Sequence, residues 1–394
     1  MVGIGLGTGK IVWRFPMEGY RADHIAISPD GGSLPISHST GNKVHRLDTL
    51  TGRKTGEFAS GGSPHENSYT RDGRRVFHAS IGWVYTPADR AELGHVRDSS
   101  KGARYFQIKD AQSMTLLKRW DMGQKLEEFG RPEMESAVRP MALAPDERQV
   151  YVQISFQHGL VEFDVPSERV LRVAELPVSE KAKNTPREVY LLDSAHHGLA
   201  MNAEGTKLRV AGTMSDYAAI VSRATFASKL FTDIGEKPYW STNGLDGTCW
   251  LSVSGNDRVV VLDYATEREI ARIPVGDHPQ RVRLGAVSRA VLPALPPPGV
   301  RDRRAPHIGV RDRPRRCRRL NFRLRVRILE QSALRSAEVR LGSRRLWRTR
   351  RKSSSVVVPA RRLRPGVHRL RFRATDAAGN TARRTVRFRR CGPR

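Results

Sequence analysis

The sequence predicts an all-β protein: a β-propeller of short four-stranded repeats over residues 1–290, a Pro/Arg-rich linker at 291–316, and a small β-sandwich at 317–394. Three observations predict it. A strand-and-turn signature recurs at intervals as short as 42 residues, short apolar runs alternate with polar residues, and the composition breaks sharply at Pro293.

The first signature is a strand running into a turn. It reads Ile25-Ala-Ile-Ser-Pro-Asp-Gly31, Asn67-Ser-Tyr-Thr-Arg-Asp-Gly73, Met141-Ala-Leu-Ala-Pro-Asp-Glu147 and Leu199-Ala-Met-Asn-Ala-Glu-Gly205, with a looser copy from Trp240 to Gly247. A second signature, strand–turn–strand, follows in Lys43–Gly52, Arg104–Asp110, Leu160–Asp164 and Val259–Thr266. The acidic anchors Asp30, Asp72, Asp146, Glu204 and Asp246 are spaced 42, 74, 58 and 42 residues, the longest interval holding an insertion around Val84–Ala103. Pro-Asp-Gly and Thr-Gly turns between alternating runs read as antiparallel strands. A unit of this size cannot bury a core alone, so the units must stack in a ring. Gly7–Phe15 matches the second half of a repeat and Val275–Leu284 the first half. Pairing the two would close the ring and remove its sheet edges, giving five full blades and one composite.

These residues resemble the YVTN-type propeller family. The likeness rests on Ser28-Pro29-Asp30-Gly31, Asn42-Lys-Val-His-Arg-Leu-Asp48 and Asn256-Asp-Arg-Val-Val-Val-Leu-Asp263, and covers about residues 5–290. It implies a propeller. Members are often seven-bladed and this chain opens inside a strand, so it also implies an upstream blade and an export signal. It implies no single activity, because the family includes exported binding and surface proteins alongside enzymes.

Past the linker, Leu320, Phe322, Leu324, Val326 and Ile328 alternate with Asn321, Arg323, Arg325 and Arg327, a strand with one buried face. Val339/Leu341, Val356/Val358, Leu370/Phe372/Ala374 and Val386/Phe388 repeat the pattern, and the Thr375–Thr381 turn resembles that of bacterial immunoglobulin-like repeats. A domain this small buries a marginal core. Cys317 and Cys391 bracket it, and joining them would stabilise it by about 4 kcal/mol. Two free thiols are the alternative. A bridge implies an oxidising compartment, hence an exported or surface protein; without it the expectation is a cytoplasmic one. Cys249, in a strand-like run, is expected buried and unpaired.

The net charge of +29 is lopsided. From Pro293 onward, 31 Arg and one Lys stand against five acids, a net +27 that leaves +2 for the rest. Such a module suits an anionic surface, an anionic cell-wall polymer among them. The Arg-over-Lys excess is also what GC-rich coding produces. Nucleic acid is disfavoured, since neither base-stacking aromatics nor a recognition-helix pattern accompany the charge. No run approaches the 18 apolar residues of a membrane helix. Met1–Lys10 lacks the features of a signal peptide and fails as a phosphate loop, having Ile4 and Ile11 where Gly and Ser/Thr are needed. Cys-x-x-Cys and Gly-x-Ser-x-Gly are both absent.

The functional signal is histidine. Stepping back from each acidic anchor to the entry of the inner strand gives Asp23/His24, His65/Glu66, Arg139/Pro140, His197/Gly198 and Tyr239/Trp240, with His278 in the like place of the closing strand. The loops between second and third strands add His38, His78, His158 and Ser215-Asp216, and His196 precedes His197. Eight histidines thus map to one face. The candidate ligand-binding set is His24, His65, Glu66, His78, Arg139, His196, His197, Trp240 and His278. The candidate metal set is His24, His65, His197 and His278, with Glu66 or Asp193 as carboxylate and copper, iron or zinc as the ion. The leading expectation is a non-catalytic exported propeller that binds a small-molecule ligand or protein partner through this face. The rival is a metal-dependent enzyme, an oxidoreductase or lactone hydrolase.

Overall fold

The computed structural model describes residues 1–6, 8–17, 21–82, 102–186, 194–285, 305–312, 314, 316–330, 334–376 and 379–392. Asp193 and most of the Val84–Ala103 insertion lie outside the described residues. Two compact units are present, Met1–Pro274 with His278–Leu295, and Val275–Asp277 with Pro296–Arg394.

The first unit opens on a hairpin, β1 (Val2–Gly5) and β2 (Lys10–Arg14), and continues as five four-stranded antiparallel meanders. Blade 1 is β3 (Ala22–Ile25), β4 (Ser33–His38), β5 (Lys43–Asp48) and β6 (Lys54–Ala59). Blade 2 is β7 (Pro64–Tyr69), β8 (Arg75–Ser80), β9 (Phe106–Asp110) and β10 (Leu116–Trp120). Blade 3 is β11 (Val138–Leu143), β12 (Gln149–Ile154), β13 (Gly159–Asp164) and β14 (Arg169–Glu175). Blade 4 is β15 (Gly198–Met201), β16 (Lys207–Gly212), β17 (Tyr217–Ser222) and β18 (Ser228–Phe231). Blade 5 is β19 (Pro238–Asn243), β20 (Thr248–Val253), β21 (Arg258–Asp263) and β22 (Arg268–Pro274).

The repeat signature has a physical basis in its turns. Asp30 Oδ1 accepts from Gly32 N at 3.0 Å, Asp72 Oδ1 from Arg74 N at 3.0 Å and Asp146 Oδ1 from Arg148 N at 3.1 Å; Asp246 accepts from the Thr248 hydroxyl. Each carboxylate caps the turn from first to second strand of its blade, the Asx geometry that pre-sets a reversal. Asp48, Asp110, Asp164 and Asp263 do the same between third and fourth strands, accepting from Thr51, Ser113, Ser167 and Thr266. The sheet faces then bury one another. Phe77, Phe106, Trp120 and Phe163 interlock blades 2 and 3, and Tyr151, Leu160, Leu199 and Val210 join blades 3 and 4. The fold is a β-propeller, with β3, β7, β11, β15 and β19 as its inner strands.

The expected composite blade is not formed among the described residues. The β1–β2 hairpin packs Trp13 and Phe15 against Leu34, Ile36 and Leu47 of blade 1. Trp13 Nε1 donates to Thr49 O at 2.9 Å, and its ring occupies the space beside Gly52, which at φ 68° needs to be glycine. Residues 279–285 are irregular. His278 sits at φ 54°, and Pro279 has no amide for a strand ladder. Side chains close the ring instead: Ser252 Oγ donates to Gln280 O at 3.0 Å, and Arg281 Nη2 donates to Asp23 Oδ1 of β3 at 2.6 Å.

Arg209 is an anomaly of this unit. Its guanidinium is fully buried on β16 over the Phe231 ring, with no hydrogen-bond partner for any of its three nitrogens. Burying an uncompensated charge is costly, and an apolar residue of similar volume removes that cost. Arg209→Met is expected to stabilise the propeller by roughly 1–4 kcal/mol, read as a raised thermal midpoint. A fall would show that a polar partner satisfies the guanidinium in solution.

In the second unit, β23 (His307–Arg311), β24 (Phe322–Leu329) and β27 (Ser353–Val358) form one sheet. The strands β25 (Leu334–Leu341), β26 (Arg344–Thr349), β28 (Gly366–Asp376) and β29 (Thr381–Arg390) form the other, in the order β26-β25-β28-β29. Leu324, Val326, Val356, Val339, Leu370, Phe372 and Val386 fill the space between them. Strand β23 corrects the linker boundary, because Ile308 and Val310 alternate with His307, Gly309 and Arg311 inside the 291–316 span. Cys317 and Cys391 form a disulfide with Cα atoms 5.2 Å apart, while Cys249 is buried and free. No helix among the described residues is long and apolar enough to cross a membrane.

A candidate metal centre at the hub of the ring

The inner strands carry bulges where the site residues lie. Register shifts fall between Ala22 and Ile25, between Pro64 and Asn67, between Val138 and Met141, and between Pro238 and Trp240. An extra residue in one strand of a pair re-aims its side chains. Here the bulges take in His24, His65/Glu66, Arg139 and Tyr239. Blade 4 uses glycine instead. A Cβ on Gly198 would meet Ser241 N at 2.8 Å, so only glycine lets blades 4 and 5 approach behind His197.

His24, His65 and His197 converge at the hub, one donor atom of each lying within 4.8 Å of the others, and all three are buried. Their rings lie 4.0 Å (His24–His65), 5.3 Å (His65–His197) and 5.8 Å (His24–His197) apart. Trp240 closes one side, 5.0 Å from His24. His24 Nδ1 is hydrogen-bonded to the buried Glu66 carboxylate. His24 Nε2, His65 Nδ1, His197 Nδ1 and Trp240 Nε1 have no hydrogen-bond partner. Burial, then the neighbouring His65 and Arg281 charges, drive the His24 pKa far below the usual imidazole value. Burial and Arg139 do the same for His65 and His197. Three neutral rings therefore offer lone pairs. Burial pushes the Glu66 carboxyl up to about 7 against the opposing pull of Arg283 and Arg281.

Neutral imidazole nitrogens suit zinc, copper and iron, and a ring nitrogen held by a carboxylate orients the other toward the ion. Donors at 2.0–2.1 Å from a tetrahedral ion stand roughly 3.4 Å apart. Shifts of about 1 Å or less would bring the rings onto one ion. Beside the triad is a cavity of about 130 Å³, lined by Arg21, Asp23, Arg139, Tyr239 and Arg281 together with His65 and His197. Arg139 Nε donates to Ser155 Oγ at 2.7 Å. Arg281 and Arg283 lie over the Trp240 ring at 5.7 and 4.3 Å, and Arg283 Nη2 is 3.5 Å from Glu66.

Several predicted residues go elsewhere. His278 is exposed in the closing turn, its amide donating to Asp257 at 2.8 Å; its side chain does not reach the hub. The segment advances past it, and Arg281 and Arg283 take the place assigned to it. His78 is consumed in the packing of β8, between Asn67 Oδ1 at 2.9 Å and Ser60 Oγ at 2.7 Å. His196 turns away from His197 to the Tyr217 hydroxyl at 3.1 Å. His158 lies 5.4 Å from His196 and opens on a separate cavity of about 460 Å³. His38 pairs with His45 at 2.9 Å. Sequence reasoning missed Arg281 and Arg283; their signal is the period-2 spacing in Pro279-Gln-Arg-Val-Arg283.

The hub defines a β-propeller with a buried three-histidine cluster. No protein-family model matches the chain, and no curated protein matches it in sequence. Among solved structures it is similar to virginiamycin B lyase from Staphylococcus aureus, at 13% identity over 69% of this chain and 76% of that one, with a TM-score of 0.49. It is also similar to the WD40 repeats of RRP9 (11% identity, 65% and 64%, TM-score 0.46) and to a functionally unknown protein from Desulfotomaculum acetoxidans (10% identity, 68% and 75%, TM-score 0.47). Similarity at this level says nothing about substrate.

Proposed function

We propose that the propeller is a metal-dependent enzyme whose His24, His65 and His197 hold one transition-metal ion. The observation that carries this reading is the convergence of three buried, neutral imidazoles with unpartnered nitrogens, one of them fixed by Glu66. Three protein nitrogens leave a fourth position open, the arrangement of catalytic rather than structural sites. The adjoining cavity would take a small substrate, and Arg21, Arg139 and Arg281 favour one bearing negative charge.

A propeller that binds an anionic ligand without turning it over is the second reading. The same three arginines favour it, because they oppose a cation; Asp23 offsets Arg281 and Glu66 offsets Arg283. Elemental analysis separates the readings. About one equivalent of copper, iron or zinc should copurify, and adding the ion to stripped protein should raise its thermal midpoint. Protein that holds under a tenth of an equivalent, with a midpoint unmoved by all three ions, rules out the metal and leaves the ligand-binding reading. We further propose that the chain is exported and belongs among YVTN-type propellers. The Cys317–Cys391 bridge supports the first statement, and the capped Ser-Pro-Asp-Gly turn of blade 1 the second.

A further inference from the structure

The second unit carries a charge pattern that folding alone does not reward. On the β26-β25-β28-β29 sheet, Leu370, Phe372, Ala374, Val386 and Phe388 face the core, so Arg369, Arg371, Arg373, Arg383 and Arg387 face solvent. The register sets Arg369 directly opposite Arg387, Arg373 opposite Arg383, Arg371 opposite Arg340, and Arg340 opposite Arg345. Like charges directly opposite each other in an antiparallel pair are destabilising. Among the described residues Glu338 is the acid on this face; the register sets it opposite Arg373 and Arg348, and it pairs with Arg340 at 3.3 Å. Among the described residues, Arg369, Arg371, Arg373, Arg383 and Arg387 make no ion pair with a carboxylate.

The spacing is regular. Outward residues recur every roughly 6.8 Å along a strand and neighbouring strands lie roughly 4.8 Å apart, so the face is a lattice of guanidinium groups. At the β29 edge it meets a cleft of about 600 Å³ lined by Arg311, Asp312, Thr385 and Arg387. Guanidinium forks match phosphate oxygens bidentately. The strand repeat is close to the length of an extended phosphodiester unit. The remaining outward positions of β28 and β29 (Val367, Thr375, Thr381, Thr385 and Arg389) carry no aromatic ring, so nothing there stacks on a base.

We propose that this face docks a linear polyol-phosphate polymer, a phosphodiester chain without nucleobases, gripped through its phosphates. Such a polymer supplies the counter-charge that the Arg369–Arg387 pair lacks and that Glu338 alone offers beside Arg373. The disulfide, stable where a cell-surface polymer would be met, favours this occupant over nucleic acid.

The test uses the full chain and an abasic phosphodiester oligomer, beside oligothymidylate of equal length. Wild type should bind both alike, with affinity falling steeply with salt. Arg369→Thr/Arg373→Thr/Arg383→Thr/Arg387→Thr should lose at least tenfold in affinity and lower the log–log salt slope by roughly 3. Its thermal midpoint should hold or rise, since like-charge pairs are removed, which separates lost binding from lost fold. Arg323→Thr/Arg327→Thr, on the opposite sheet, should stay within about threefold of wild type. The proposal is overturned if wild type ignores the abasic oligomer at low salt, or if both variants weaken equally. Tighter binding of oligothymidylate by tenfold or more overturns it in favour of nucleic acid.

Discussion

Cys391→Ser will unfold the C-terminal unit at a midpoint roughly 20 °C or more below wild type, with the propeller transition unmoved. The disulfide closes a loop across 74 positions. On the chain-entropy account a loop of that length contributes roughly 4.5 kcal/mol. In a domain of this size each kcal/mol moves the midpoint by about 4–8 °C. The bridge does not act alone. Arg318 N donates to Arg389 O at 2.8 Å and Cys391 N to Arg318 O at 3.1 Å, so backbone pairing already holds the two ends together. The variant keeps those bonds, so the loss reports the cross-link itself. Calorimetry with and without reductant checks it. A midpoint within about 3 °C of wild type in both would show that the backbone pairing suffices.

The second large effect is at the hub. His65→Ala/His197→Ala leaves one histidine of the three and should abolish copurifying metal, with affinity for added ion falling more than about a hundredfold. Glu66→Gln should be milder, costing 10–100-fold, because glutamine keeps a hydrogen bond to His24 Nδ1 but not the charge behind it. The ordering matters more than either value. Equal loss in the two variants would place Glu66 among the ligands. Loss in neither would show that any bound ion sits elsewhere.

The propeller was legible because its turns are chemical. An aspartate whose side chain caps the next turn leaves a mark at fixed spacing, and Asp30, Asp72, Asp146 and Asp246 stand in like turns of four blades. The hub was legible in part for the same reason, since His24, His65, Arg139 and Trp240 can be counted back from those marks. Counting failed at the closing segment. Pro279 breaks strand geometry there, and the chain runs three residues further before Arg281, and then Arg283, reaches the hub, leaving His278 in solvent. It failed also for His78 and His196, since linear position does not say which side of a strand a ring faces. His197 and His196 are adjacent, and only one can point inward. In the second unit, period-2 alternation showed each buried face plainly. Short β23 was hidden by the arginines and prolines around it.

The manner of ring closure has a consequence for motion. Blades joined by a shared strand are locked by a ladder of backbone bonds, whereas here the last segment is clasped to blade 1 by Arg281–Asp23 and to blade 2 by Arg283–Glu66. A clasp of solvent-touched ion pairs opens at a small fraction of the global unfolding free energy and opens more readily as salt rises. Amide hydrogens of β3 should thus exchange sooner than those of the interior strand β12. One of the clasping acids, Glu66, is also the group that steers His24. An ion held by His24 and His197 would tie blade 1 to blade 4 across that seam, so filling the hub should slow the exchange of the β3 amides.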